Sequence, residues 1–241
     1  MKLSLVIVVL AAAMTAACSK FNIAPLVSPG PVVPKQIWSG TSGGFAIDWS
    51  TADIVATPQH NPKQQVLSEL TRTAIDFHKI AHNQTSDCDM TRQARIQSVV
   101  GTIVSIQRSD TMRCANGTNG TASGSVAIDL AHPKTPLLLS SLFPAHELDA
   151  MQTKAQHFCK TVPRDLLSSF AFSELHGTSV VVVVSLGADC SQSEVDLALN
   201  VPAVLKKPLE LAAKRQQGFL WRDEPAVADG SVTTVNYHYR M

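Results

Sequence analysis

Four groups of residues in this chain have the types and spacing to do chemistry. Gly40-Thr41-Ser42-Gly43-Gly44 carries the Gly-x-Ser-x-Gly spacing of a nucleophile elbow. That motif needs a strand before the serine and a helix after it, so that the hydroxyl stands exposed on a strained turn. Here a Pro-rich stretch comes before and Phe45-Ala46-Ile47-Asp48-Trp49 alternates like a strand behind, so the glycines are expected to form an ordinary turn. His78 and His82 are one helical turn apart, which would let both imidazoles face one metal ion. Lys79 stands where a zinc peptidase has its Glu, and no third ligand is marked, so both are read as surface or boundary histidines. Asp189, Glu194 and Asp196 crowd one turn and strand without a recognisable partner for proton transfer, and are read as solvated acids. No catalytic, metal or cofactor site is expected from these groups.

The fourth group is Cys18. It follows Lys2, an apolar run from Leu3 to Ala13, and the small residues Thr15, Ala16 and Ala17, the layout of a secretory signal peptide. The run is well short of the roughly 20 apolar residues that cross a bilayer. Thr-Ala-Ala-Cys resembles a lipobox, in which the thiol takes a diacylglycerol and becomes the lipidated first residue; Thr15 departs from the usual aliphatic residue there. Parity supports this reading, because the chain has five Cys and lipidation of Cys18 leaves an even set, Cys88, Cys114, Cys159 and Cys190. In an oxidising compartment these make two disulfides, with Cys88 to Cys114 and Cys159 to Cys190 favoured among three connectivities.

Loss of the signal peptide removes Lys2, so 20 basic residues become 19 against 19 acidic ones. A neutral chain argues against nucleic acid, which needs a clustered basic face. Lys206, Lys207, Lys214 and Arg215 gather late in the chain, interspersed with Leu205, Leu209 and Leu211, as on a solvated amphipathic helix.

The elements that position these groups follow from periodicity. Residues 1–17 are the signal peptide and 18–36, with Pro25, Pro29, Pro31 and Pro34, a semi-rigid tether reaching up to roughly 50 Å. Residues 37–90 are expected as an N-terminal strand and helix subdomain. Ile37 to Ala56 reads as a bent strand pair, and a helix opens at Pro62 with Val66, Leu67, Leu70, Ala74, Phe77 and Ala81 on one face. Residues 91–215 form the next unit. Ile96–Ile106 and Ser125–Leu130 are strands around turn chemistry at Asn116–Gly124; Pro144 opens a second helix; Val180–Val184 is a central strand; Val195, Leu197 and Leu199 alternate; and Pro202 leads to a short helix over Leu205–Ala213. Residues 216–241 are an extension whose Val235, Tyr237 and Tyr239 alternate like a terminal edge strand, a candidate edge for strand addition by a partner. The fold class is α+β, a mainly antiparallel sheet covered on one side by two principal helices, with two disulfides.

Ser98-Val-Val-Gly-Thr-Ile-Val-Ser-Ile106, Val126-Ala-Ile-Asp-Leu130, Leu139-Ser-Ser-Leu-Phe143, the valine strand and Leu199-Asn-Val-Pro202 follow one another in an order that resembles a bacterial extracytoplasmic domain family. That family forms the C-terminal domain of the lysozyme-sensing anti-sigma factor RsiV and accompanies the catalytic domain of the peptidoglycan deacetylase PdaC. The resemblance covers roughly residues 90–211. It implies the fold and an envelope-facing binding role. It does not carry over lysozyme as ligand, since Cys114–Gly124 lacks the family's Gly-Gly-Ala-His segment and a neutral chain offers a basic lysozyme no steering field. Taken together, the chain reads as a lipoprotein of the bacterial cell envelope, anchored through Cys18 on the periplasmic face of the outer membrane. Its domain is expected to bind or sense an envelope protein or a peptidoglycan fragment. A structural or assembly role, or a hydrolase with an unrecognised site, are the alternatives.

Overall fold

The computed structural model describes residues 33–159, 168–186, 190–223 and 232–240. The signal peptide, Cys18, most of the tether and Asp189 lie outside the described residues. Among those described, eleven strands and three α-helices follow in the order β1 (Gln36–Ser42), β2 (Phe45–Ser50), β3 (Ile54–Pro58), β4 (Leu67–Ser68), α1 (Glu69–Ala81), β5 (Cys88–Val100), β6 (Ile103–Cys114), β7 (Asn119–Asp129), α2 (Ala145–Gln156), β8 (Phe170–His176), β9 (Ser179–Ser185), β10 (Glu194–Asn200), α3 (Ala203–Ala213) and β11 (Thr233–Tyr239). No helix among them is long and apolar enough to cross a membrane.

The strands pair antiparallel in three sheets, ordered β1-β2-β3-β4, β11-β5-β6-β7 and β10-β9-β8. The α+β class, the antiparallel pairing and both disulfides stand as expected. Cys88 lies directly opposite Cys114 in the β5–β6 ladder, and Cys159, just past α2, joins Cys190 ahead of β10.

The long β5–β6 hairpin is the spine. Near its turn, Ala94, Ile96, Val99, Val104 and Ile106 face Ile47, Trp49, Ile54 and Ala56 of the first sheet. Val100 and Ile103 on the opposite face join Phe170, Phe172, the valines of β9 and Leu205 and Leu209 of α3. A two-residue strand period sends neighbours to opposite faces, so this end of the hairpin is buried on both. A bulge at Gln97 shifts the β5 register, and Ser98 Oγ accepts a hydrogen bond from the Phe172 amide, 3.1 Å away, which stitches β8 to β5. At the hairpin's far end only one face is covered, where Phe77 and Ala81 of α1 meet Cys88, Met90 and Cys114.

The stretch from Ile37 to Ala56, expected as one bent strand pair, runs through three strands, β1, β2 and β3. Three boundaries also differ from the sequence reading, each for a physical reason. The helix expected from Pro62 begins at Glu69, because Leu67 and Ser68 pair with β3 first. The Ser68 hydroxyl then caps the helix by accepting from the Thr71 amide, and Asp53 accepts from the Leu70 amide at 2.8 Å. Ile96–Ile106 is the inner part of two long strands folded at Gly101, which takes a φ of 59°. Residues 119–124, expected as turn, continue the sheet as β7; the Gly-rich run is accommodated on an edge strand, where little has to pack.

Candidate functional site

Backbone approaches at the hinge of the hairpin set up a cleft. The β1–β2 turn places Gly43 and Gly44 at φ 56° and 84°, positive values that suit glycine and a tight hairpin. A Cβ on Gly43 would lie 2.6 Å from the Gly101 carbonyl carbon, so the β1–β2 turn rests backbone to backbone on the β5–β6 turn. Past α3, Phe219 exchanges both backbone hydrogen bonds with Val99, at 2.8 and 3.1 Å. Gly218 permits this; a Cβ there would meet the Val99 carbonyl oxygen at 2.1 Å.

Two cavities lie along β1, against α3 and the segment after it. One, of about 320 Å³, is lined by Trp38, Ser39, Gly40, Thr41, Arg215, Gln216, Gly218, Phe219 and Asp223. The other, of about 190 Å³, is lined by Ser42, Gly43, Gly101, Lys207, Pro208, Leu211 and Gln217. The two linings share no residue but abut in sequence, at Thr41 and Ser42 on β1 and at Gln216 and Gln217 after α3.

Trp38 is fixed in this cleft. Its ring covers Gly40, where a Cβ would come within 2.5 Å of the indole, and it meets Phe219 edge to face at 5.0 Å. On the opposite wall, α3 ends in a Schellman motif. The Gln216 amide bonds to the Leu211 carbonyl and the Arg215 amide to the Ala212 carbonyl, both at 2.9 Å. The left-handed residue of that motif is Arg215, at φ 54°, where glycine is usual. A side chain in this region costs about 1–2 kcal/mol, and among the described residues Arg215 makes no ion pair or side-chain hydrogen bond that offsets it. Backbone strain of this kind clusters at functional sites.

The residues singled out by sequence are distributed as follows. Ser42 ends β1, and the turn after it leads into strand β2 rather than a helix. The side chain is 1% exposed and its hydroxyl has no hydrogen-bond partner among the described residues. His78 and His82 stack at 6.4 Å between ring centroids, with His78 Nδ1 3.0 Å from the Tyr237 hydroxyl. No group of three or more metal-ligating side chains occurs among the described residues. Burial, with Asp196 alongside, pushes the Glu194 carboxyl above the usual carboxylate range. Lys206, Lys207, Lys214 and Arg215 are all exposed, and the fold brings Lys207 and Arg215 to the cleft. Val235 is buried, and Tyr237 and Tyr239 are half-buried beside α1 on edge strand β11.

A second polar cluster was invisible to periodicity. Glu69, 0% exposed at the start of α1, lies 2.6 Å from Arg108 Nη2 and 3.5 Å from Arg92 Nη1. Arg92 grips Asp110 with two bonds of 2.7 and 2.8 Å, reaches Asp76 at 3.0 Å and stacks over the Phe77 ring at 5.2 Å. Burial opposes its charge, but the Asp110, Asp76 and Glu69 carboxylates outweigh burial and raise the pKa above the ordinary arginine value. This network fastens α1 to the sheet.

No protein-family model matches the chain, and no curated protein matches it.

Proposed function

We propose that this chain is an envelope-anchored lipoprotein, held by lipid on Cys18, whose domain binds or senses a ligand without transforming it, the ligand being a cell-wall glycan or a glycan hydrolase. The observation that carries the reading is the cleft along β1, where a fixed indole at Trp38 faces a strained, unpaired Arg215. An aromatic surface beside a few convergent polar groups in a preformed cavity is the usual composition of a small-ligand site. The order of short sequence segments shared with the RsiV-type domain supports the same role, as does the signal-peptide and Cys18 pattern for the location.

The test is capture from envelope extract on the full chain carrying Cys18→Ser, with bound material identified by mass spectrometry. Identified glycan fragments or a glycan hydrolase retained by this chain and lost with Trp38→Ala support the reading. Capture indifferent to Trp38 overturns it.

A second reading, assembly by strand addition, rests on β11. The Thr234 amide points away from β5 to the Thr51 carbonyl, so by alternation the backbone groups of Asn236 and His238 face the same open side. Recovery of envelope assembly proteins, insensitive to Trp38→Ala and lost when 236–240 are removed, favours that role.

A further inference from the structure

We infer that the cleft takes an acidic sugar, a pyranose bearing a carboxylate, and that Arg215 is the residue that selects the charge; the inference rests on the cleft reading above and names its ligand class. The lining of the larger cavity divides by chemistry. Trp38 offers an apolar aromatic surface, the complement of the C–H face of a pyranose ring. Asp223 and Gln216 supply a planar carboxylate and a planar amide, groups that pair with adjacent ring hydroxyls through two hydrogen bonds each. Ser39 and Thr41 also line the cavity from β1, alternating along the strand with Trp38 and Gly40.

Charge then distinguishes acidic from neutral sugars. Arg215 lines this cavity and Lys207 the other, and Lys214, the residue before Arg215, is exposed at the end of α3. None of the three makes an ion pair among the described residues. Asp223 is the acid in the lining of either cavity. The chain as a whole is nearly neutral, so this local excess of positive charge is a property of the cleft. A guanidinium binds carboxylate through parallel N–H bonds, which a neutral hydroxyl cannot match. The position of Arg215 sharpens the point. Glycine would close the Schellman motif without strain, whereas an arginine stands there against the local backbone preference.

The cleft also has room for more than one ring. Trp38 to Ser42 spans about 13 Å at roughly 3.3 Å per strand residue, and Lys207 and Gln217 stand at the second cavity. A disaccharide with one ring on Trp38 would extend along β1 toward the second cavity.

Titration calorimetry at low salt tests this on the full chain carrying Cys18→Ser, with two probes. One is a disaccharide of N-acetylglucosamine and N-acetylmuramic acid, and the other is the neutral N,N′-diacetylchitobiose. The acidic disaccharide is expected to bind roughly tenfold or more tightly, the scale of one charge-assisted contact. Arg215→Gly should abolish that preference while leaving the unfolding midpoint unchanged or higher. Trp38→Ala should weaken both probes. Equal, Trp38-dependent binding of the two sugars overturns the acidic-ligand inference and leaves the cleft reading intact. Failure of both sugars to bind, while envelope capture still depends on Trp38, also overturns the sugar assignment alone. A preference for the acidic sugar that survives Arg215→Gly overturns the role of Arg215.

Discussion

The two ends of the β5–β6 hairpin are held by opposite means. Around Gly101 the hairpin is sandwiched by apolar layers on both faces, and the neighbouring turn sits on its backbone with no side chain between. Toward Cys88 and Cys114, where α1 covers a single face, a covalent link and a buried network of carboxylates around Arg92 and Arg108 do the fastening. Among the described residues, buried charge is found at the second end and not at the first. Where a sheet is covered on one side, buried charges can fix the position of a helix, and each becomes costly once a partner is removed. A two-sided sheet needs no such help, and it is beside this secure end that the strained Arg215 and the cleft occur.

The sharpest break in that contrast is at Glu69. Glu69→Ala leaves Arg92 and Arg108 with a missing partner in a buried setting, and is expected to destabilise the fold by about 3–5 kcal/mol, read as a lower urea midpoint. The corresponding break at the other end is Gly218→Ala. Its Cβ collides with the Val99 carbonyl at a positive φ of 83°, and a loss of about 1–3 kcal/mol is expected; the cleft should lose ligand with it. Arg215→Gly runs in the other direction, with a gain of about 1 kcal/mol in unfolding free energy as the left-handed strain is relieved.

The smallest effect is on pH. The His238 hydrogen bond, aided by Arg240, holds the exposed Asp89 carboxyl below its ordinary value. A depressed acid contributes stability above the unfolded-state value of about 3.9 and loses it as pH falls through the folded one. Amide exchange in β11 should therefore quicken relative to β6 between about pH 5 and about pH 3, and Asp89→Asn should remove the difference.

Much of the architecture was legible because its signals are local. The valine run of β9, the alternation of β10, the prolines before α2 and α3 and the even cysteine set each act within a few residues. The long hairpin was only half legible. Arg92, Arg108 and Asp110 occupy inward positions on β5 and β6, and charges there interrupt the apolar alternation that marks a half-buried strand. The cleft was not legible at all. Its walls come from residues 38–43 and 207–223, which only the folded chain brings together. The left-handed residue that closes α3 is Arg215, and no composition rule reveals an arginine in a glycine's place.

β1 is both a wall of the cleft and a margin of its sheet, and among the described residues it is the first strand in chain order. A pull arriving from the N-terminal side is therefore borne by β1 before any other strand. A molecule lodged between β1 and the segment after α3 would act as a cross-tie, so that an occupied cleft resists peeling more than an empty one.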